Sequence, residues 1–272
     1  MLTSTLGGLI KDHRIRKRLS QLEVSLRIGW KDSSRLSKIE QGRVSKPSRD
    51  TIERIIKALK LNVQEKGNFL LVGGYLPNNQ EVKNVIKVIG SKIDNWPFPA
   101  FLMDFSFRWL YTNLYTLKVM KMSINQKKWV EKNKPNFLEF PFLPSDQISV
   151  EIMKGEDEKN LKTFKIAQIA SFKTENEKYQ NESWYKKLIQ SLMKYDDFRK
   201  LWPSTDQNSY PKKLFDYEYK RIIGIYGKRK KILNLHLSTA RVIKDPRFQV
   251  ILCYPADKGT EKFFSSTQLS NN

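Results

Sequence analysis

Ser20 to Gly42, SQLEVSLRIGWKDSSRLSKIEQG, is the stretch on which the reading of the N-terminal part of this chain turns. Ser20-Gln21-Leu22-Glu23 fits a capping box, in which the Ser20 hydroxyl and the Glu23 carboxylate satisfy backbone amides that a helix start leaves free. A helix therefore begins at about Gln21. Val24, Ser25 and Ile28 fall on one face at helical spacing, the small Ser25 admits close approach of another helix, and Gly29 supplies the backbone freedom of a helix end. After the turn from Gly29 to Asp32, either Asp32 or Ser33 can cap a second helix in which Leu36 and Ile39 point inward. Ser33, Ser34, Arg35, Ser37 and Lys38 are then left on the outside.

Two short helices about a glycine turn, the second presenting Ser, Arg and Lys outward, form a helix-turn-helix, and the stretch resembles the XRE family, the Cro and phage-repressor type. The resemblance extends both ways. LGGLIKDHRIRKRLSQ (Leu6 to Gln21) is similar to the family's first helix; SKIEQG and then KPSRDTIERIIKALKL (Lys46 to Leu61) are similar to the end of its recognition helix and to its fourth helix. It implies an all-α, lambda-repressor-like domain of four or five helices that binds double-stranded DNA. In that family the Gln opening the second helix holds a phosphate, as does the residue before the glycine that follows the third; these positions are Gln21 and Gln41 here. An ion pair found in some members maps onto Arg14 and Glu40, as scaffold. Gly29-Trp30-Lys31-Asp32 is one residue longer than the usual turn, which leaves open the phase of the recognition helix and hence which side chains reach bases. A basic helix face on its own is usually only a solvated one. The four-helix pattern is what makes Ser33, Ser34, Arg35, Ser37 and Lys38 candidates for base contact. Arg35 and Lys38 can each reach a guanine edge or a phosphate. Arg43, Lys46 and Arg49 suit phosphates or idle surface charge, and Trp30 is either a wedge on the core or an exposed turn aromatic.

Charge agrees with a polyanionic partner. Lys and Arg number 50 against 28 Asp and Glu, a surplus of 22 that favours salt-sensitive binding. Residues 1–75 hold 16 basic and 7 acidic residues and the remainder 34 and 21, so net positive charge per residue is about twice as dense at the N-terminus. The C-terminal lysines are interleaved with acids, as in KGEDEKNLK and KTENEKYQ, and read as solvated helical surface. A length of 272 residues, 39% hydrophobic and 12% aromatic, supports two packed domains rather than disorder. The single Cys253 excludes an intramolecular disulfide, and with only His13 and His236 no zinc-ligand spacing exists, so no metal or resident cofactor is expected. No apolar N-terminal run and no long uncharged stretch is present, and a cytoplasmic protein without membrane contact is expected.

Gln64 to Pro77, QEKGNFLLVGGYLP, closes the first domain, with Phe69, Leu70 and Leu71 in a short apolar helix that Gly73-Gly74 stop. The expected organisation is a DNA-binding domain at 1–77, a linking helix at 78–93, a second domain at 94–264 and a flexible tail at 265–272. In the linking helix Val82, Val85, Ile86 and Ile89 recur at helical spacing, a face that suits a dimer seam or packing on the second domain. NWPFPAFLMDFSFRWLYTN (Asn95 to Asn113) reads as a strand hairpin about Asp104-Phe105-Ser106, and residues near Val119 to Phe198 as mostly helical. Tyr217 to Tyr226, Lys231 to Arg241 and Arg247 to Tyr254 read as strands, with turns at Gly227-Lys228-Arg229-Lys230 and Lys244-Asp245-Pro246.

Two strands, a helical insert and three antiparallel strands is the order of a PAS-like α+β domain with a five-stranded antiparallel sheet. GGYLP, PAFLMDFSFRWLYTN, YDDFRKLWPS (Tyr195 to Ser204) and FQVILCYPAD follow the order seen in MmyB-like transcription regulators, which the chain resembles over nearly its whole length. Where that family tends to have a His-Pro pair before the strand hairpin, this chain has Tyr226-Gly227, so no role of that pair carries over. The resemblance implies a one-component regulator whose PAS-like domain senses a small apolar ligand such as a fatty acid. The candidate lining is Leu233, Leu235, Leu237 and Ile251, opposed by helices carrying Phe164, Ile166 and Ile169, with Phe101, Met103, Trp109 and Tyr111 from the hairpin. The same residues are what any α+β core needs. His236 reads as a satisfied or surface histidine, and Asn113 as the cap of the helix after the hairpin. A homodimer is expected, placing two recognition helices in successive major grooves about 34 Å apart. An enzyme is not expected, because no phosphate loop, metal cluster, glycine-flanked Ser or Cys/His dyad is evident. The rival reading gives the second domain a protein partner and no small-molecule ligand.

Overall fold

The computed structural model describes residues 5–120, 122–142, 158–206, 223–226 and 229–265. The N-terminal half of the strand expected from Tyr217, the turn residues Gly227 and Lys228, and the tail beyond Ser265 lie outside them. The chain divides into two compact units, Met1–Pro77 with Arg241–Arg247 and Asn78–Ala240 with Phe248–Asn272.

Among the described residues the first unit holds five helices: α1 (Leu6–Arg16), α2 (Gln21–Ile28), α3 (Ser34–Glu40), α4 (Arg49–Ala58) and α5 (Val63–Val72). Their starts follow from the residues that precede them. Thr5, Ser20, Ser48 and Asn62 accept from the amides of Gly8, Glu23, Thr51 and Glu65, and Glu23 and Glu65 complete capping boxes at α2 and α5. For α3 the choice falls on Asp32, whose Oδ1 accepts from the Ser34 amide at 2.7 Å, while Ser33 makes no side-chain cap. Gly29 ends α2 in the left-handed region at φ +89°. Ile10, Val24, Leu36, Ile52, Ile55, Leu59, Phe69 and Leu70 are fully buried at the centre, each worth about 1.5–3 kcal/mol of burial. At Gly7 the backbones of α1 and α3 touch, since a Cβ there would lie 2.3 Å from the Ile39 carbonyl oxygen.

The second unit opens with α6 (Asn79–Asp94), capped by an Asn78/Glu81 box. It continues with β1 (Ala100–Asp104), β2 (Trp109–Thr112), α7 (Leu114–Val119), α8 (Ile124–Asn133), α9 (Glu158–Asn176), α10 (Ser183–Leu192) and α11 (Asp196–Ser204). The C-terminal elements are β3 (Ile223–Tyr226), β4 (Arg229–Ile232), β5 (Leu235–Arg241), β6 (Phe248–Pro255) and α12 (Lys258–Ser265). Among the described residues the sheet has four strands in the order β2-β1-β6-β5, not five, and β3 pairs with β4 in a separate two-stranded ladder. The expected strand from Lys231 to Arg241 is broken at Asn234. There the backbone amide donates to Thr260 Oγ1 at 2.9 Å, the carbonyl accepts from the Ala256 amide at 2.8 Å, and the side chain donates to Asp257. A residue whose backbone is committed to the start of α12 cannot continue a ladder.

Register sorts the side chains. Phe101 pairs with Ile251, and Met103 with Trp109, which puts these four on one face; Leu102 pairs with Tyr111 on the other. The ladder shifts between Leu102 and Met103, so Trp109 and Tyr111 fall on opposite faces although they are two residues apart. The helix α6 covers the Tyr111 face: Val82, Gly90 and Ile93 are buried, Gly90 lies against the Tyr111 ring, and Tyr111 donates to Asp94 at 2.6 Å. Asn113 caps α7, as its position suggests, and does more. Its Oδ1 accepts from the amides of Thr116 and Ala100 at 3.0 and 3.1 Å, while its Nδ2 faces the carbonyls of Ile93, Trp96 and Phe98, tying the end of α6 to β1 and α7. Among the described residues no helix is long and apolar enough to cross a membrane.

Candidate nucleic-acid interface

The scaffold beneath the interface is a buried ion pair. Arg14 of α1 grips Glu40 of α3 through two parallel bonds, Nε to Oε1 at 2.7 Å and Nη2 to Oε2 at 2.8 Å, and its Nη1 donates to the Leu19 carbonyl at 2.9 Å. The Glu40 side chain is 2% exposed and that of Arg14 11%. The hydrogen bond to Glu40 raises the pKa of Arg14, so the guanidinium stays charged. Gln21, at the start of α2, donates to Glu40 Oε2 at 2.8 Å, so it is part of this network. A carboxamide nitrogen has two protons, and one is left for a phosphate. The three contacts fix the end of α1, the start of α2 and the end of α3 against each other.

On that scaffold α3 turns one side outward. Ser34, Arg35 and Lys38 are exposed, Ser33 and Ser37 half-buried, and Gln41, Gly42 and Arg43 are exposed just beyond the helix. Gln41 donates to Ser37 Oγ at 2.8 Å, and Gly42 turns the chain at φ +75°. Arg35 does not extend freely. Its Cζ sits 4.8 Å above the centre of the Trp30 ring, and its Nη2 donates to Thr51 Oγ1 at 3.3 Å. Trp30 itself packs against the core, which resolves its two readings in favour of packing.

Two further cations, Lys46 in the connection from α3 to α4 and Arg49 at the first position of α4, are both held on Tyr75. The Lys46 ammonium lies 5.0 Å from the ring centre and donates to the Gly74 carbonyl at 3.3 Å; loss of solvent lowers its pKa to about 8. The Arg49 guanidinium lies 6.0 Å from the same ring and donates to Glu53 at 2.7 Å. Burial pushes the Tyr75 phenol up to about 12, and its hydroxyl donates to the Pro47 carbonyl. Sequence reasoning passed over Arg16 and Arg18. Both are exposed, Arg16 at the end of α1 and Arg18 in the connection leading to the α2 N-terminus, where helix dipole and free amides favour an anion. The signal was present as four basic residues in the five positions from Arg14 to Arg18.

In the second unit the residues named as a ligand lining fall mainly into two packed groups that meet at Leu237. Phe101, Met103, Trp109 and Ile251 pack with Leu117, Met122 and Val130, joined by Leu237. Leu233 and Leu235 belong with Val119, Cys253, Phe263 and Phe264 in another cluster, which Leu237 also touches. Phe164 is half-buried on α9, and Tyr111 faces α6. Phe101 stacks on Phe137 at 5.4 Å, and Trp109 is fully buried. Burial raises the pKa of the Cys253 thiol to about 12. The His236 ring lies 5.4 Å from that of Tyr254. Among the described residues no group of three or more His, Cys, Asp or Glu could hold a metal ion.

A family model described as a helix-turn-helix domain matches residues 5–67, from the cap of α1 into α5. No curated protein matches the chain. The matched segment contains the Arg14–Glu40 scaffold and the whole exposed side of α3, and it suggests a DNA-binding regulator.

Proposed function

We propose that this protein is a sequence-specific, one-component transcription regulator that acts in the cytoplasm as a homodimer. The observation that carries the reading is the exposed side of α3, Ser34, Arg35 and Lys38, on a helix pair whose angle is locked by the buried Arg14–Glu40–Gln21 network. Base reading falls to α3, with Ser33 and Ser37 at its margin. Gln21, Gln41 and Arg43, with Arg16 and Arg18, contact the phosphates that set register. Two copies of α3 enter successive major grooves about 34 Å apart.

The second unit is the sensory half, with no catalytic task. A small apolar molecule such as a fatty acid, received in the PAS-like, MmyB-like interior beside Phe101, Met103 and Trp109, favours one dimer arrangement over the other. One observation favours a second reading: these side chains pack against one another, with Trp109 fully buried and Phe101 stacked on Phe137. In that reading the unit binds a protein partner and no small molecule.

Selection of the full-length chain against a random-sequence duplex pool tests the regulator reading, which expects one motif to be enriched and fails if none is. Native mass spectrometry of the purified chain separates the two readings of the second unit, because a retained small molecule of defined mass supports the first alone.

A further inference from the structure

Arg35 is the second residue of α3, and in helix-turn-helix docking the first residues of the recognition helix meet the base edges. An arginine there normally has many rotamers to lose. Here the guanidinium is already placed, over Trp30 at 4.8 Å on one side and on Thr51 Oγ1 at 3.3 Å. Thr51 is itself fixed: it is buried, its amide donates to Ser48 Oγ at 3.2 Å, and it accepts from the Ser48 hydroxyl at 2.9 Å. Trp30 is fixed too, packed on the core with its amide donating to the Ser25 carbonyl at 2.9 Å. A guanidinium above an aromatic ring carries its donors in its own plane, so this contact leaves donors at its edge for a planar acceptor pair. Guanine presents such a pair, O6 and N7, in the major groove.

We propose that Trp30 is a positioning residue for sequence reading: with Thr51 it holds Arg35 ready to meet one guanine, and so sets specificity at one base pair without touching DNA. The proposal rests on the regulator reading above. It also gives a task to the lengthened turn, which is where Trp30 stands.

The test begins with the full-length chain and the motif it enriches from a random duplex pool. Affinities for the consensus duplex, for duplexes altered one base pair at a time and for random duplex are then measured for wild type, Arg35→Ala, Trp30→Leu, Trp30→Phe and the Trp30→Leu/Arg35→Ala double variant. Leu keeps an apolar plug on the core, and Phe keeps a ring. Arg35→Ala is expected to flatten discrimination at one guanine by roughly 5- to 100-fold. Trp30→Leu should lose about 2- to 5-fold at the same base pair, leave random-duplex affinity within about twofold, and add nothing in the Arg35→Ala background. Trp30→Phe should recover most of the loss. Equal weakening on consensus and random duplex by Trp30→Leu, or an undiminished Trp30→Leu effect in the absence of Arg35, overturns the proposal alone. A wild-type chain that enriches no motif overturns the regulator reading and this proposal with it.

Discussion

Replacing Glu40 by Ala is the sharpest probe of the N-terminal unit, because it removes one half of a buried pair and strands the other. Arg14 keeps only its bond to the Leu19 carbonyl, and its side chain is 11% exposed, so water compensates little. Breaking such a pair costs about 3–5 kcal/mol, and the lower end alone is enough to decide the outcome. A unit of this size has a total stability of roughly 4–12 kcal/mol, so the loss takes a large share of it. Hydrogen exchange read by mass spectrometry on the full chain resolves the effect by location. Peptides from α1, α2 and α3 should exchange on the order of 100-fold faster, while those from β1 and β2 stay unchanged. The Arg14→Met/Glu40→Leu double variant, which replaces both charges with apolar groups, should return most of the stability. Exchange in Glu40→Ala within a few-fold of wild type, or a double variant as unstable as the single one, would refute the argument that a desolvated guanidinium needs this partner.

Gly7→Ala should lower the melting point of the N-terminal unit by the equivalent of about 1–3 kcal/mol, since the new methyl group meets backbone rather than a movable side chain; calorimetry checks this. Cys253, 3% exposed with its thiol raised to about 12, should resist a thiol reagent in the folded chain and react fully, one thiol per chain, in urea. His13, set edge-on to Phe69 at 5.0 Å, has its pKa lowered, chiefly by burial. The unfolded chain therefore takes up this proton near 6.5 and the folded chain only below that, so stability is full above 6.5 and declines as pH falls towards the folded value. Proton NMR of the His13 ring should titrate below the value for the chain in urea, and His13→Gln should flatten the acid-side decline.

Local chemistry was the legible part of the sequence. Ser20 announces its helix because a cap needs only its own next three residues, and the same boxes at Asn62 and Asn78 stand in the sequence without having been read there. The Arg14–Glu40 pair came through family resemblance, with the partners 26 positions apart. The contact of Arg35 with Thr51 had no comparable signal, for it depends on how α3 and α4 cross. In the second unit, Leu233, Leu235 and Leu237 alternate as one strand would, and nothing in that alternation shows that Asn234 is captured by Thr260 and Asp257 from the far end of the chain. The helix that captures it, α12, is only eight residues long. Alternation likewise grouped Trp109 with Tyr111, and the shift in the β1–β2 ladder separates them. Such shifts arise from pairing, which a single strand's pattern does not contain.

Whether α3 reads sequence is decided by the ratio of specific to random-duplex affinity of the full-length chain, measured across salt concentrations. A reading helix gives a ratio of about 1,000 or more at physiological salt, with both affinities falling as salt rises. A ratio near one at every salt concentration would contradict it, leaving only a basic protein attracted to polyanions.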